Sequence, residues 1–250
     1  MAAAGVYVYA IVRAAAALPP DAAGVGSPAA PLRSIRQGRL AAVVSEAPPK
    51  LRARRRDLMA HQDLLQRLSD EGPVLPMRFG MVAPDEDTVR AQLAGADTEH
   101  IAALERVSGG VEVNLKAFPA PDSLPDLIAE DGHVRRLREE VRRRPGYEAS
   151  LRLGEAVATA LAARAAEAGR RVLRELTPMA REVAAGPDVQ GCSLNVSFLV
   201  DRREHDRFRT RAQRFADAHR DRVELRLAGP LPCYSFVTAG SRPSQTAAGV

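Results

Sequence analysis

Residues that commonly do chemistry are few in this sequence and stand far apart. Its five histidines are scattered along the chain: His61, His100, His133, His205 and His219. None of them has the sequence spacing from another histidine or from a cysteine that a metal site requires. The two cysteines, Cys192 and Cys233, lack companions for a metal quartet and are interpreted as small apolar residues in or near the core. The sequence therefore predicts neither a metal site nor a cofactor.

A catalytic nucleophile needs an activating base close to it. Ser45, Ser193 and Ser235 have no such partner that the sequence reveals. His61 falls on the apolar stripe of a predicted helix, and this position favours a partly buried histidine with satisfied hydrogen bonds. No catalytic residue is predicted, and an enzyme that uses His61 as a base is kept as an alternative.

The charge balance of the chain is basic, because 36 arginines and lysines against 31 acidic residues give a net charge of +5. A basic chain can bind nucleic acid or an acidic protein. Arginine runs occur at Arg54–Arg56 and at Arg142–Arg144, but acidic residues flank both. Aromatic residues, on which RNA bases stack in sheet-based RNA-binding domains, make up only 4% of the chain. Nucleic-acid binding is therefore the alternative to protein binding, and not the first hypothesis.

Strands and helices must position these residues, and the N-terminal half alternates between them. Its predicted elements are a buried strand (Val6–Val12), a hairpin (Leu32–Glu46), a helix (about Arg54 to Ser69), a strand-like stretch (Pro73–Val82) and two short helices that end near Val107. The apolar stripe of the first helix contains Leu58, His61, Leu65 and Leu68. Pro76 and Gly80 restrict the strand-like stretch to a sheet edge or a bulge.

The C-terminal half contains strands that alternate apolar and polar residues. Its predicted elements are a strand (Val111–Phe118), helical material broken near Pro145 (about Leu124 to Ala185), a strand (Cys192–Val200), a helix (about Glu204 to His219) and a strand (Val223–Leu227). Alternating strands are covered on one face only. This order predicts an antiparallel or mixed sheet with helices on one face, of the split βαβ or ferredoxin-like kind.

We therefore expect an α+β protein of two domains. The N-terminal α+β domain is predicted over residues 1–108, and a C-terminal ferredoxin-like domain with a long helical insertion over residues 109–228. An extended apolar strap, residues 229–237, follows. Residues 238–250 are small and polar and predict a disordered tail.

Two stretches are unusual for a basic globular protein. Arg78 interrupts the apolar run Val74–Val82, and a buried arginine is costly unless it is paired. An ion pair with an acid such as Glu46 or Glu112 is the favoured interpretation, and the alternative is that Arg78 points to solvent or to a partner. The second stretch is GPLPCYSFV, Gly229–Val237, which is apolar and carries two prolines just before the polar tail.

Together with other motifs, these stretches make the chain similar to the gas vesicle accessory family GvpL/GvpF. The similarity spans about Gly5 to Val237, and VLPMRFGMV is its most specific part. The motifs that carry it are YVYAIV (Tyr7–Val12), GRLAAVVSE (Gly38–Glu46), RRDLMAHQDLLQRL (Arg55–Leu68), VLPMRFGMV (Val74–Val82), VEVNLKAF (Val111–Phe118), FLV (Phe198–Val200) and GPLPCYSFV (Gly229–Val237). Leu231 and Cys233 depart from the Trp and Pro that the family has at these positions.

The resemblance implies a two-domain α+β accessory protein that works in gas vesicle assembly without catalysis. It implies binding to the small hydrophobic shell protein GvpA and to other accessory Gvp proteins, in order to nucleate or chaperone shell growth. The expected location is the cytoplasm and the gas vesicle. Membrane insertion is not expected, because no segment is long and apolar enough to cross a bilayer.

Two sets of residues are predicted to make contacts. The prolines of the strap hold it extended after the strand Val223–Leu227, and we expect its side chains to dock in the groove between the domains. Display of the same side chains to the shell protein is the rival interpretation. The predicted interdomain or partner contacts are Arg78, Phe79, Tyr234, Phe236 and Val237. A further partner-binding surface is predicted on the arginine-rich helix start or the polar strand face, at Arg54, Arg55, Arg56, Asn114, Asn195 and Arg226.

Overall fold

The computed structural model describes residues 5–49, 51–121 and 123–237, and the chain divides into two compact units. One unit comprises the residues up to Glu112 together with those from Pro230 onward, and the other comprises Val113–Gly229. The predicted disordered tail, residues 238–250, lies outside the described residues. In the described ranges, no helix combines the length and the apolarity that a membrane span needs.

The first unit is built on a sheet in which β1 is central. Its elements are β1 (Val6–Arg13), β2 (Arg33–Gln37), β3 (Leu40–Glu46), α1 (Arg55–Glu71), β4 (Leu75–Pro76), β5 (Val82–Ala83), α2 (Glu86–Gly95) and α3 (Asp97–Val107). The strand order is β2-β3-β1-β4, with β5 also paired to β1, and β1 runs antiparallel to β3, β4 and β5. The predicted hairpin is confirmed, and it turns at Gly38, whose φ of 58° favours glycine.

A bulge in β1 distributes its apolar residues over both faces of this sheet. The register of β1 against β3 shifts between Val8 and Ala10, so Tyr9 is the extra residue. Tyr7 and Tyr9 join a core with residues of α1, whereas Val8 and Ile11 line a groove with residues of α2 and α3. Because both faces are covered, the strand is apolar along nearly its whole length.

Helix α1 covers one face of the sheet with a stripe of buried side chains: Asp57, His61, Leu64, Leu65 and Leu68. The prediction was wrong for Leu58, which is exposed. Asp57 is buried beside it, because its Oδ1 accepts a hydrogen bond of 3.0 Å from the backbone N–H of Gly26. The predicted stretch Pro73–Val82 is not one strand. It forms β4 and β5 with a turn between them, and each short strand pairs with β1.

The second unit contains a four-stranded sheet with helices inserted between its strands. Its elements are β6 (Gly110–Pro119), α4 (Leu124–Glu130), α5 (Gly132–Arg143), α6 (Tyr147–Leu176), β7 (Glu182–Ala185), β8 (Leu194–Asp201), α7 (His205–Ala218) and β9 (Val223–Leu231). The first three residues of β6 and the last two of β9 lie beyond the bounds of this unit. The strand order β7-β8-β6-β9 and the connectivity are those of the split βαβ or ferredoxin-like arrangement. The predicted α+β fold class is confirmed.

The core of this unit lies between the sheet and helices α6 and α7. Leu115 of β6 and Phe198 of β8 pack with Val172 of α6 and Phe208 of α7. The rings of Phe198 and Phe208 are 5.1 Å apart. The buried residues of α6 begin only at Ala165, so the N-terminal part of this long helix lies outside the core.

Two predicted boundaries in the second unit were wrong. Helix α6 ends at Leu176 and the 3-10 turn after it at Met179, not near Ala185, because Glu182–Ala185 pairs with β8 as a strand. Strand β9 continues to Leu231 instead of ending at Leu227. It is an edge strand of its sheet, where the missing N–H of Pro230 is tolerated.

Candidate functional site

An apolar groove in the first unit is the candidate functional site. It encloses a volume of about 430 Å³ and lies on the face of the sheet that carries Val8 and Ile11. Its lining comes from β1, β3, β5, α2, α3 and the turn between β4 and β5: Val8, Ile11, Ala42, Met77, Met81, Val82, Ala83, Pro84, Val89, Gln92, Leu93, Ala96 and His100. Met81 is 49% exposed and Val82 is 45% exposed, so apolar side chains remain open to solvent at this site.

The turn that contributes Met77 and Met81 is held by hydrogen bonds to buried side chains. His61 Nε2 lies 3.0 Å from the carbonyl oxygen of Met77, and its Nδ1 lies 2.9 Å from the hydroxyl of Tyr7. That hydroxyl accepts a hydrogen bond of 3.1 Å from the N–H of Gly80. A carbonyl only accepts, so Nε2 carries the proton and Tyr7 donates to Nδ1. The two side chains thus fix both ends of the turn.

These bonds explain His61 as a structural residue. Both ring nitrogens have a hydrogen-bond partner when the imidazole is neutral. Burial lowers the pKa of His61 from its ordinary value, which favours this neutral form. Gly80 has a φ of 92°, in the region that favours glycine, so the turn depends on this residue type. The prediction of a buried histidine with satisfied hydrogen bonds is confirmed.

A second chain of hydrogen bonds ties the bulge to a loop. The hydroxyl of Tyr9 accepts a 2.7 Å bond from the N–H of Val25 and lies 2.9 Å from Ser45 Oγ. Ser45 in turn donates to the carbonyl of Glu46 at 3.1 Å. Ser45 therefore stabilises the local fold of β3.

The chemistry of the groove is that of apolar binding. Gln92 and His100 supply its polar side chains, and within the described residues His100 Nδ1 is buried without a hydrogen-bond partner. Burial lowers the pKa of His100, so its imidazole is neutral at neutral pH. The methionines at the turn adapt their shape to an occupant more readily than branched side chains do. The groove therefore suits an apolar segment.

The strap ends in a turn that is bonded to the first unit. Tyr234–Phe236 forms a 3-10 turn, which is tighter than the extended conformation that the sequence predicts. The N–H and hydroxyl of Ser235 each donate a 2.8 Å bond to the buried carboxylate of Glu112. Arg106 of α3 donates a 2.5 Å bond to the carbonyl of Phe236, whose side chain is 1% exposed.

The other predicted contact residues fall into different environments. Phe79 and Tyr234 both pack against the core that contains Tyr7, and burial raises the pKa of Tyr234 to about 12. Val237 is half-buried. Arg78 is exposed and forms no ion pair within the described part of the chain, so the expected pairing with an acid was wrong. It lies in the turn between β4 and β5, where its charge stays in water.

The predicted partner-binding residues are divided between the two units, with the three arginines of α1 in the first and the other residues in the second. Arg54, Arg55 and Arg56 are exposed at the start of α1, where Arg56 lies 3.3 Å from Asp57. In the second unit, Asn114 Nδ2 donates to Asn195 Oδ1 at 2.9 Å, so these two side chains satisfy each other. Arg226 pairs with Glu224 at 2.7 Å and lies 4.4 Å above the Phe118 ring.

Sequence reasoning missed the groove itself. Met77, Met81 and His100 carried no motif, and Val82 was assigned to a single predicted strand. One feature of the sequence did indicate it: β1 and β3 are apolar along nearly their whole length, whereas strands with one solvent-exposed face alternate apolar and polar residues. Such a pattern indicates a sheet that is covered on both faces by other elements, including the face where the groove lies.

Comparison with known proteins gives the family. The model of the family described as "Gas vesicle synthesis protein GvpL/GvpF" matches residues 5–238. Gas vesicle protein F of Streptomyces sp. (strain CB03234) is 40% identical over 235 residues, covering 92% of this chain and 98% of that protein. Gas vesicle protein L of the same strain is 31% identical over 258 residues, covering 92% of this chain and 91% of that protein.

Solved structures agree in fold. The crystal structure of gas vesicle protein GvpF from Anabaena sp. PCC7120 has a TM-score of 0.76 at 22% identity, covering 95% of this chain and 100% of that chain. GvpF from Microcystis aeruginosa has a TM-score of 0.73 at 20% identity, covering 94% of this chain and 100% of that chain. The chain belongs to the GvpL/GvpF family of gas vesicle accessory proteins.

Proposed function

We propose that this protein assists gas vesicle assembly by binding an apolar face of the shell protein GvpA in the groove of the first unit. The bound subunit is kept from aggregating until it joins the growing shell. The observation that carries the proposal is the apolar groove of about 430 Å³ beside the exposed side chains of Met81 and Val82. Other accessory Gvp proteins are proposed as further partners, and the growing gas vesicle as the place of action.

The size and lining of the groove support an apolar helix as its occupant. Its volume lies within the range of about 300–1,000 Å³ that is usual for ligand sites. A helix that lays an apolar face into a groove uses anchors at i, i+3 and i+4. The sheet residues form the floor of the groove and α2 and α3 contribute its walls, so two or three such anchors have apolar partners.

The strap is proposed to act as part of this protein and not as the site for GvpA. Phe236 is buried, and both carboxylate oxygens of Glu112 are used by Ser235. Exposing these groups would cost apolar burial and leave a buried carboxylate without donors. Docking within the protein therefore agrees better with these contacts than display to a partner.

The test is co-expression of GvpA with the affinity-tagged full chain, followed by measurement of the GvpA that stays in the supernatant and copurifies. Met81→Glu places a charge at the groove, and we expect it to reduce retained GvpA by about tenfold or more, the loss typical of a central apolar contact. Met59→Glu is the matched control, because Met59 on α1 is 50% exposed and does not line the groove.

The proposal fails if Met81→Glu and Met59→Glu retain equal amounts of GvpA. It also fails if the unaltered chain retains none. Circular dichroism of both variants checks that the fold is kept, which we expect because both side chains are half-exposed.

A further inference from the structure

The helices α5 and α6 present a strongly charged surface that the groove and the core do not use. Helix α5 packs along α6, and Glu140 of α5 pairs with Arg152 of α6 at 2.9 Å. None of residues 147–164 of α6 is buried. Tyr147 is 83% exposed and Leu151 is 49% exposed. A helix section with so little burial gains little stability from packing within the chain, so its surface is available to a partner.

One face of α5 carries charges in a regular pattern. Its residues, together with Arg144 directly after the helix, line a concavity of about 700 Å³: Arg135, Arg136, Glu139, Glu140, Arg143 and Arg144. Pairs that recur every four residues lie on the same side of a helix. Along the helix axis, this face therefore presents two arginines, then two glutamates, then two arginines. Since the helix rises 1.5 Å per residue, the two arginine pairs are about 12 Å apart.

Among the residues that the structure describes, the ion pairs of the chain involve the two glutamates of this face but not its four arginines. Glu139 bonds Arg142 at 3.2 Å and Glu140 bonds Arg152, in each case through Oε1. The four arginines of the face form no ion pair within the described residues. Arg135 reaches only a backbone carbonyl, that of Ala129, at 3.3 Å. The face thus has two arginines at each end and two glutamates at its centre. Each glutamate uses only one of its two carboxylate oxygens in the ion pairs above.

We propose that this face of α5 binds an acidic amphipathic helix of a protein partner, in which two pairs of carboxylates flank one pair of basic residues. The carboxylate pairs of the partner meet Arg135–Arg136 and Arg143–Arg144, and its basic pair meets Glu139–Glu140. Arginine forks bind carboxylates in a bidentate manner, which fixes the register of such a helix. Tyr147 and Leu151 are exposed on α6 close in sequence to Arg152, which pairs with Glu140 of this face.

The central glutamates favour a protein over a nucleic acid. A phosphate backbone carries the same charge at every step and would be repelled by Glu139 and Glu140. A partner helix with alternating charge pairs would instead form attractive contacts with both arginine pairs and with the glutamate pair. This surface is separate from the proposed GvpA site, and its test does not depend on GvpA.

The test uses synthetic 21-residue alanine-based helices and the full chain, with fluorescence anisotropy at low salt. One peptide carries Glu-Glu, Lys-Lys and Glu-Glu pairs at four-residue spacing, and a second has the same composition in scrambled order. We expect the patterned peptide to bind about tenfold more tightly than the scrambled one, a difference that a few surface ion pairs can supply. A single-stranded RNA of 20 nucleotides is the competing probe.

Charge reversal locates the site. Arg136→Glu with Arg143→Glu should lower the affinity for the patterned peptide by about tenfold or more. Arg209→Glu with Arg214→Glu is the control, because it changes the net charge equally on exposed positions of α7. Glu139→Gln with Glu140→Gln should weaken binding of the patterned peptide.

Three results would overturn the proposal. The first is equal binding of the two peptides, or binding of neither. The second is tighter binding after Glu139→Gln with Glu140→Gln, which would show that the face responds only to total charge. The third is an RNA affinity that exceeds the peptide affinity and is lost in the α5 reversal, which would assign the face to nucleic acid.

Discussion

Replacement of Phe236 by alanine tests whether the strap is part of the folded first unit. The side chain is 1% exposed, and its loss leaves a cavity in addition to the lost apolar burial. Phe→Ala substitutions at such sites cost about 3–5 kcal/mol. With a denaturant slope of about 2 kcal/mol per molar urea, 4 kcal/mol moves the unfolding midpoint by about 2 M.

The chain itself provides a reporter for this experiment. It has no tryptophan and four tyrosines, Tyr7, Tyr9, Tyr147 and Tyr234, of which all except Tyr147 belong to the first unit. Tyrosine fluorescence in urea therefore follows mainly the unfolding of that unit. Tyr147→Ala is the matched control, because it removes an aromatic ring that is 83% exposed and should change stability by less than about 0.5 kcal/mol.

The docked strap would be refuted by a Phe236→Ala midpoint equal to that of Tyr147→Ala. If such a variant also lost GvpA binding, the strap would be the partner surface that we reject. A large midpoint shift with a second, earlier transition would show instead that the strap detaches before the rest of the unit unfolds.

Two further predictions concern the loop and the buried histidine of the same unit. Gly24→Ala should destabilise the protein by about 2 kcal/mol or more, because the added Cβ would lie 2.6 Å from the hydroxyl of Tyr9. In the control Gly154→Ala in α6, the added Cβ meets nothing within 4 Å, and the substitution should stabilise the protein by up to about 1 kcal/mol. Urea unfolding followed by circular dichroism compares the two variants, and equal effects on stability would contradict the packing argument. Burial holds the pKa of His61 below the unfolded value of about 6.5, so its contribution is present above that pH and is lost as the pH falls through the folded pKa. The free energy of unfolding should therefore decrease from about pH 7 to about pH 5, less steeply in His61→Gln, and an unchanged slope in that variant would show that His61 does not titrate as proposed.

Local patterns in the sequence predicted much of the fold. The β-branched and aromatic run at Val6–Val12 and the Gln37-Gly38 turn led directly to β1 and the hairpin. The alternation at Val111–Phe118 led to β6, although Glu112 on its polar face is buried. Its burial depends on donors from Ser235, more than a hundred residues away, which no local pattern can show.

The errors share a physical cause, which is that tertiary pairing overrode local preference. Glu182–Ala185 has helix-forming composition, yet hydrogen bonds to β8 make it a strand. Leu58 has the helical spacing of a core residue, yet Asp57 takes the buried position through its bond to Gly26. The groove was missed for a similar reason, since it is formed by the bulge at Tyr9 and by α2 and α3 together and has no signature of its own.

The discontinuity of the first unit has a consequence for biosynthesis. Its parts before Val113 and after Gly229 are separated by the whole second unit, which is 117 residues long. A ribosome adds about 5–20 residues per second, so the nascent N-terminal part waits roughly 6–23 s for the segment that supplies Ser235 and Phe236. The second unit is synthesised during that interval. Newly made chains therefore carry an unfinished first unit until synthesis passes Phe236, and the apolar surface that this segment covers makes the interval the period when a chaperone is most needed.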